Sequence, residues 1–161
     1  MTNILVPTDF TPASLKLAEQ AVKVLNREVN ILLFHAFEMP FYYVDFFRPE
    51  REPWQELLND NLRHSCRQLK ERCPWLINSI HLRFMQGNTA ALFRNWTEAN
   101  GIDIIVCPNN YVYTKIHPRS LNPIPFFKKS RITLLQDLSV KEQAAARVSS
   151  HKQHTYPVIP A

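Results

Sequence analysis

Glycine is almost missing from this chain, with Gly87 and Gly101 the only two in 161 residues. Loops that cradle phosphate at the carboxyl ends of parallel strands depend on glycine, because a residue without Cβ lets backbone N–H groups close on an anion at positive φ. The stretch from Cys107 to Phe126, CPNNYVYTKIHPRSLNPIPF, follows the apolar run Ile102–Val106 and contains no glycine. Cysteine is also scarce. Cys66, Cys73 and Cys107 are odd in number and form no C-x-x-C pair, which excludes a disulfide framework and a zinc site and leaves reduced, buried thiols as the expectation. No apolar run approaches the roughly 20 residues that span a bilayer, so no membrane association is expected. No basic and apolar leader precedes Ile4-Leu5-Val6, and a cytoplasmic location is the resulting expectation.

The residues present read as one α/β domain over 1–138, followed by a polar tail over 139–161 with a short helix at Val140–Val148 at most. Asn3–Thr8 is a short apolar strand. Thr11 as N-cap and Pro12 at the first helical position start a helix whose Leu15, Ala18, Ala21, Val22 and Leu25 share one face. Val29–Phe37 is apolar throughout, as a parallel strand covered on both faces would be. An irregular, aromatic connection over 38–53 leads to a helix over Trp54–Arg72. Ser79–Met85 alternates and reads as a half-exposed edge strand. Asn88 or Thr89 caps a helix over Ala90–Asn100 that packs Ala91, Leu92, Trp96 and Ala99, and Gly101 ends it in the left-handed conformation. Ile102–Cys107 and Arg131–Gln136 complete an open, mostly parallel sheet of five strands flanked by helices, a Rossmann-like architecture.

Acidic residues are absent from Lys115 to Arg131, where Lys115, His117, Arg119, Lys128, Lys129 and Arg131 cluster in a chain of net charge +5. Three readings stay open for this segment: a solvated loop, an anion site built from Lys115, Arg119 and Lys128, or a surface for an acidic partner. Nucleic acid ranks last, because no recognition helix or stacking module is visible. His35 reads as a core histidine rather than a base, since no Ser, Cys or carboxylate accompanies it at a recognisable spacing. No catalytic residue is assigned. His151 and His154 make half a metal site at most, and no metal is expected.

Four stretches resemble the universal stress protein family. They are Ile4–Ser14 with its aspartate Asp9 after the first strand, Leu32–Ala36, Gly87 before the third helix, and Gly101–Val106, in the family's order. The resemblance implies an adenine nucleotide alpha hydrolase-like fold. It implies Asp9 at the nucleoside end of ATP, the backbone of Ala36 against adenine, and Pro108 and Asn109 at the start of the phosphate loop. The family's glycine-rich motif would fall on Pro108, Tyr111, Leu121 and Asn122, none of which fits it. The expectation is a non-catalytic stress-type protein that has lost ATP binding and has no cofactor, acting as a homodimer on an unidentified protein or small anionic ligand. The alternative is an ATP switch or weak ATPase with a remodelled phosphate loop. The resemblance also places Arg131, Ile132, Thr133, Leu134, Leu135 and Gln136 at the sheet edge, as a strand pairing antiparallel with its copy.

Overall fold

The first six-residue strand, β1 (Thr2–Pro7), is buried over Ile4–Pro7 and forms the centre of the sheet. The computed structural model describes residues 1–12, 14–38 and 59–138. After β1 come α1 (Ser14–Leu25), β2 (Val29–Phe37), α2 (Asp60–Arg72), β3 (Ile77–Gln86), α3 (Ala90–Ala99), β4 (Ile104–Val106), β5 (Ser120–Leu121), α4 (Ile124–Lys129) and β6 (Thr133–Leu135). The sheet runs in the order β3-β2-β1-β4-β6, and β5 is a sixth strand that pairs only with β2. Neighbours along the main path are parallel, whereas β5 is antiparallel to β2.

Strand periodicity sorts the core into two faces. Ile4, Val6, Ile31, Leu33, Ile104 and Val106 pack with α1 and α2. Leu5, Leu32, Phe34, Ile105 and Cys107 pack with α3 and α4 on the other side. The result is a three-layer, doubly wound fold. In α1, Leu15, Ala18, Ala21 and Val22 are buried, as their spacing predicts. Glu19 on its outer side binds Lys23 at 3.0 Å and Arg72 of α2 at 2.9 Å. Lys23 first, and then Arg72, hold the Glu19 carboxyl below its ordinary pKa against the opposing effect of burial.

At the amino end of the sheet a polar ladder sets the register. The Asn3 side-chain amide donates to the Gly101 carbonyl, Asn30 donates to Asn3, and Asn78 and Ser79 both donate to Asn30. Gly101 has φ +62°, and a Cβ there would stand 3.2 Å from Asn3 Nδ2, so both conformation and space require glycine.

Several expectations change in detail. The α2 helix begins at Asp60, capped by Asn59, whose side chain accepts from Leu62 N–H; the predicted start at Trp54 and the aromatic stretch 39–58 lie outside the described residues, as does the tail 139–161. Thr89 caps α3 as expected, but the buried residues of α3 are Phe93 and Thr97, while Ala91 and Ala99 are exposed. The large Phe93 ring wins the inward position, because burying an aromatic removes far more apolar area from water than burying an alanine. Thr11 precedes α1 with its carbonyl accepting from Ser14 N–H at 3.1 Å, and its own N–H and hydroxyl both donate to Asp9 Oδ1. Residues 107–126 hold a two-residue strand and the start of a short helix, with Pro123 at the N-cap and Pro125 in the first turn. Proline is tolerated there because those N–H groups have no partner within the helix.

Candidate functional site

Beyond Pro7, β1 stops and leaves the next residues of β2 without a neighbour on that side. The chain supplies its own. Ala36 pairs with Leu121 and Phe37 with Ser120, and Glu38 N–H donates to the Arg119 carbonyl at 2.7 Å. Along a strand the backbone groups of alternate residues face the same neighbour. The Phe34 carbonyl accepts from Thr8 N–H, Glu38 bonds Arg119, and the Phe37 carbonyl accepts from Gly87 N–H on the β3 side. The backbone groups of Ala36 therefore face β5.

His35 locks this closure. Its Nδ1 lies 2.7 Å from the Thr8 carbonyl and its Nε2 2.8 Å from Ser120 Oγ. A carbonyl can only accept, so Nδ1 carries the proton and Ser120 donates to Nε2. Both His35 and Ser120 are 4% exposed. Burial pushes the His35 pKa down, while the Thr8 bond and the charge of Asp9 oppose it. The ring also packs against Phe37 at 4.7 Å and Phe10 at 5.1 Å. Phe10 sits at φ +66°, a conformation costly for a residue with a Cβ, and its buried ring stacks on Phe84 at 5.8 Å. The pair resembles a nucleophile and base, but both side chains lie in the core rather than in a cavity. Sequence reasoning missed Ser120, because 85 residues separate it from His35.

Arg119 completes the strap, donating from Nη2 to the Glu38 carbonyl at 2.7 Å. Its Nε and the Tyr113 hydroxyl are buried without a hydrogen-bond partner among the described residues. Burial raises the Tyr113 phenol pKa; the nearby Ser120 hydroxyl opposes this, though no bond of acceptable geometry joins the two.

The order of strands reverses between β1 and β4, and in doubly wound sheets ligands settle at that crevice, beyond the carboxyl ends of the strands. A cavity of about 680 Å³ lies there. It brings Asp9 together with Pro108 and Asn109, while Ala36 does not line it. Among the described residues its charged lining is Asp9 and Asp137. Tyr111 also lines it, its phenol pushed up to about 12 by burial first and by Asp9 second. Asp9 Oδ1 is engaged by Thr11. Lys115, Arg119 and Lys128 line neither this cavity nor a second one between α3 and α4. Among the described residues no group of three or more His, Cys, Asp or Glu could hold a metal ion, and no helix is long and apolar enough to cross a membrane.

No family model matches the sequence, and no curated protein matches it. Solved structures do. The structure of hypothetical protein PH0823 aligns over 84% of this chain and 94% of its own, at 14% identity and a TM-score of 0.51. The shared fold is an open, mostly parallel α/β sheet flanked by helices. Universal stress protein UspA from Lactobacillus plantarum aligns over 84% of this chain and 96% of its own, at 16% identity and a TM-score of 0.45. A universal stress protein in complex with cAMP matches at the same identity and TM-score, over 84% of this chain and 94% of its own. Within that fold, β6 takes the sheet edge, with Leu135 packing on the α1 and α2 side and Ile132 and Leu134 on the other.

Proposed function

We propose that this chain is a non-catalytic universal-stress-type protein of the cytoplasm, a homodimer that acts through a partner or a small ligand and has given up the family's adenine nucleotide site. The observation that carries this reading is the pairing of Ser120–Leu121 with Ala36–Phe37, which commits the β2 backbone that a base would otherwise meet. The switch-point cavity supports it, because its charged lining among the described residues is carboxylate, Asp9 and Asp137, which repels a triphosphate. Pro108, which offers no N–H, supports it further. Three unpaired cysteines suit a reducing compartment.

Calorimetric titration with ATP and with AMP tests the reading, and no saturable heat is expected into the millimolar range. Micromolar affinity that disappears in Asp9→Ala would overturn it. One observation favours the alternative of a nucleotide switch or weak ATPase: Asp9, Pro108 and Asn109 share one cavity. Release of inorganic phosphate from ATP, again dependent on Asp9, would establish that alternative.

A further inference from the structure

The α4 helix spans only six residues and packs its Phe126 and Phe127 with Phe93 of α3. A cavity of about 480 Å³ opens there, bounded by the residues that lead into β4 and β6. It lies at the amino end of the sheet, opposite the switch-point cavity, and shares no lining residue with it. Its volume falls in the range of about 300 to 1,000 Å³ typical of small-molecule sites.

The floor is apolar. Phe93 and Phe126 stack with centroids 5.8 Å apart at 22°, and Ile102 and Ile132 lie beside them. Three cations rim it: Arg94 from α3, Lys129 from the end of α4, and Arg131 from the turn into β6. All three are exposed, and none makes an ion pair among the described residues. Two carboxylates also line the cavity, Glu98 and Asp103, and Asp103 already accepts from the Asn3 N–H at 2.9 Å.

We infer that this cavity binds a small amphipathic anion, whose apolar body covers Phe93, Phe126 and Ile132 while its carboxylate or sulfonate meets Arg131, Lys129 and Arg94. Guanidinium groups suit this task, since two parallel N–H donors match the two oxygens of a carboxylate. Charge argues against the chain's own distal segment as occupant: residues 139–161 carry Lys141, Arg147 and Lys152 against Glu142, the same sign as the rim. The inference does not depend on the nucleotide site being closed.

Titration of the full chain with 1-anilinonaphthalene-8-sulfonate and with decanoate tests it. Trp96, whose ring stacks on Phe93 at 6.4 Å, serves as a nearby fluorescent reporter. One saturable site with Kd on the order of 10 µM is expected for the sulfonate, with decanoate competing and decylamine not. The double variant Arg94→Glu and Arg131→Glu should weaken binding about tenfold or more, whereas Arg63→Glu with Arg67→Glu, the same charge change on α2, should leave it unchanged. Glu98→Gln, an exposed change that does not threaten folding, should tighten binding. Equal weakening by the α2 variant, effective competition by decylamine, or unchanged binding in Glu98→Gln would each refute the inference. So would light scattering in which the anion splits a dimer, because the groove would then belong to a second copy of the chain.

Discussion

His35 binds one carbonyl and one hydroxyl while packed between aromatic rings, and its chemistry makes stability depend on pH. Burial lowers its folded pKa below the ordinary value of about 6.5. Between the two values the unfolded chain binds the extra proton, so stability rises with pH across that window. It is full above about pH 6.5, falls as the pH drops, and levels off below the folded pKa. The charged and titratable neighbours that bear on the ring are Asp9, which favours the imidazolium, and His117, which opposes it. Urea unfolding between pH 7 and 5 should therefore show a declining midpoint. In His35→Gln that slope should flatten while stability at pH 7 falls by about 1 to 3 kcal/mol, as expected when buried partners lose their bonds. An unchanged slope would show that another group governs it. Glu19 acts in a different window, because its lowered carboxyl pKa removes stability only as pH falls below about 4.3. The histidine's burial could be read from its apolar strand, whereas its partners could not, since neither Thr8 nor Ser120 lies near it in the chain.

Among the elements, β5 has the fewest means of its own. Two residues cannot hold a strand by backbone pairing alone, and the His35–Ser120 bond and the Arg119–Glu38 contacts provide the rest. Ser120→Ala removes the hydroxyl and leaves Nε2 of a buried imidazole unpaired, at a cost of about 1 to 3 kcal/mol. Hydrogen exchange should register this locally: the Glu38 amide, bonded to the Arg119 carbonyl, should lose protection, while the Leu5 and Ile105 amides of the central strands should keep theirs. Uniform loss across the sheet would mean that β5 opens only with global unfolding. The segment 107–126 shows where sequence reasoning reaches and where it stops. Its lack of glycine argues against a regular phosphate cradle on local chemistry alone. The structure places Pro123 and Pro125 where a helix start admits proline.

For the whole molecule, the two sheet edges differ. The β3 edge presents exposed His81 and Arg83, charged and polar side chains of the sort that discourage pairing with another chain. The β6 edge presents Thr133, Leu134 and Leu135 without a charge among them. We expect β6 to pair with its copy about a two-fold axis, which would satisfy its open backbone groups and cover half-buried Leu134 and Leu135. Light scattering at micromolar concentration should report a dimer, and Leu134→Glu should yield a monomer that still folds. A monomeric wild-type chain would refute the assignment of residues 131–136 as an interface.

The succession of the five parallel strands and the three longer helices, the two-faced core and the left-handed Gly101 were legible in the sequence alone, because each depends on side-chain patterns repeated over a few neighbouring residues; the two-residue β5 and the six-residue α4 were not. The absence of glycine from 107–126, where a phosphate loop would need it, was legible for the same reason. Only the tertiary structure decided that Ser120 meets His35, that the chain caps its own β2, and that a cation-rimmed cavity opens beside Phe93. Such contacts join residues far apart in the chain, and their geometry depends on how the intervening segments close across the sheet. No local pattern encodes that path.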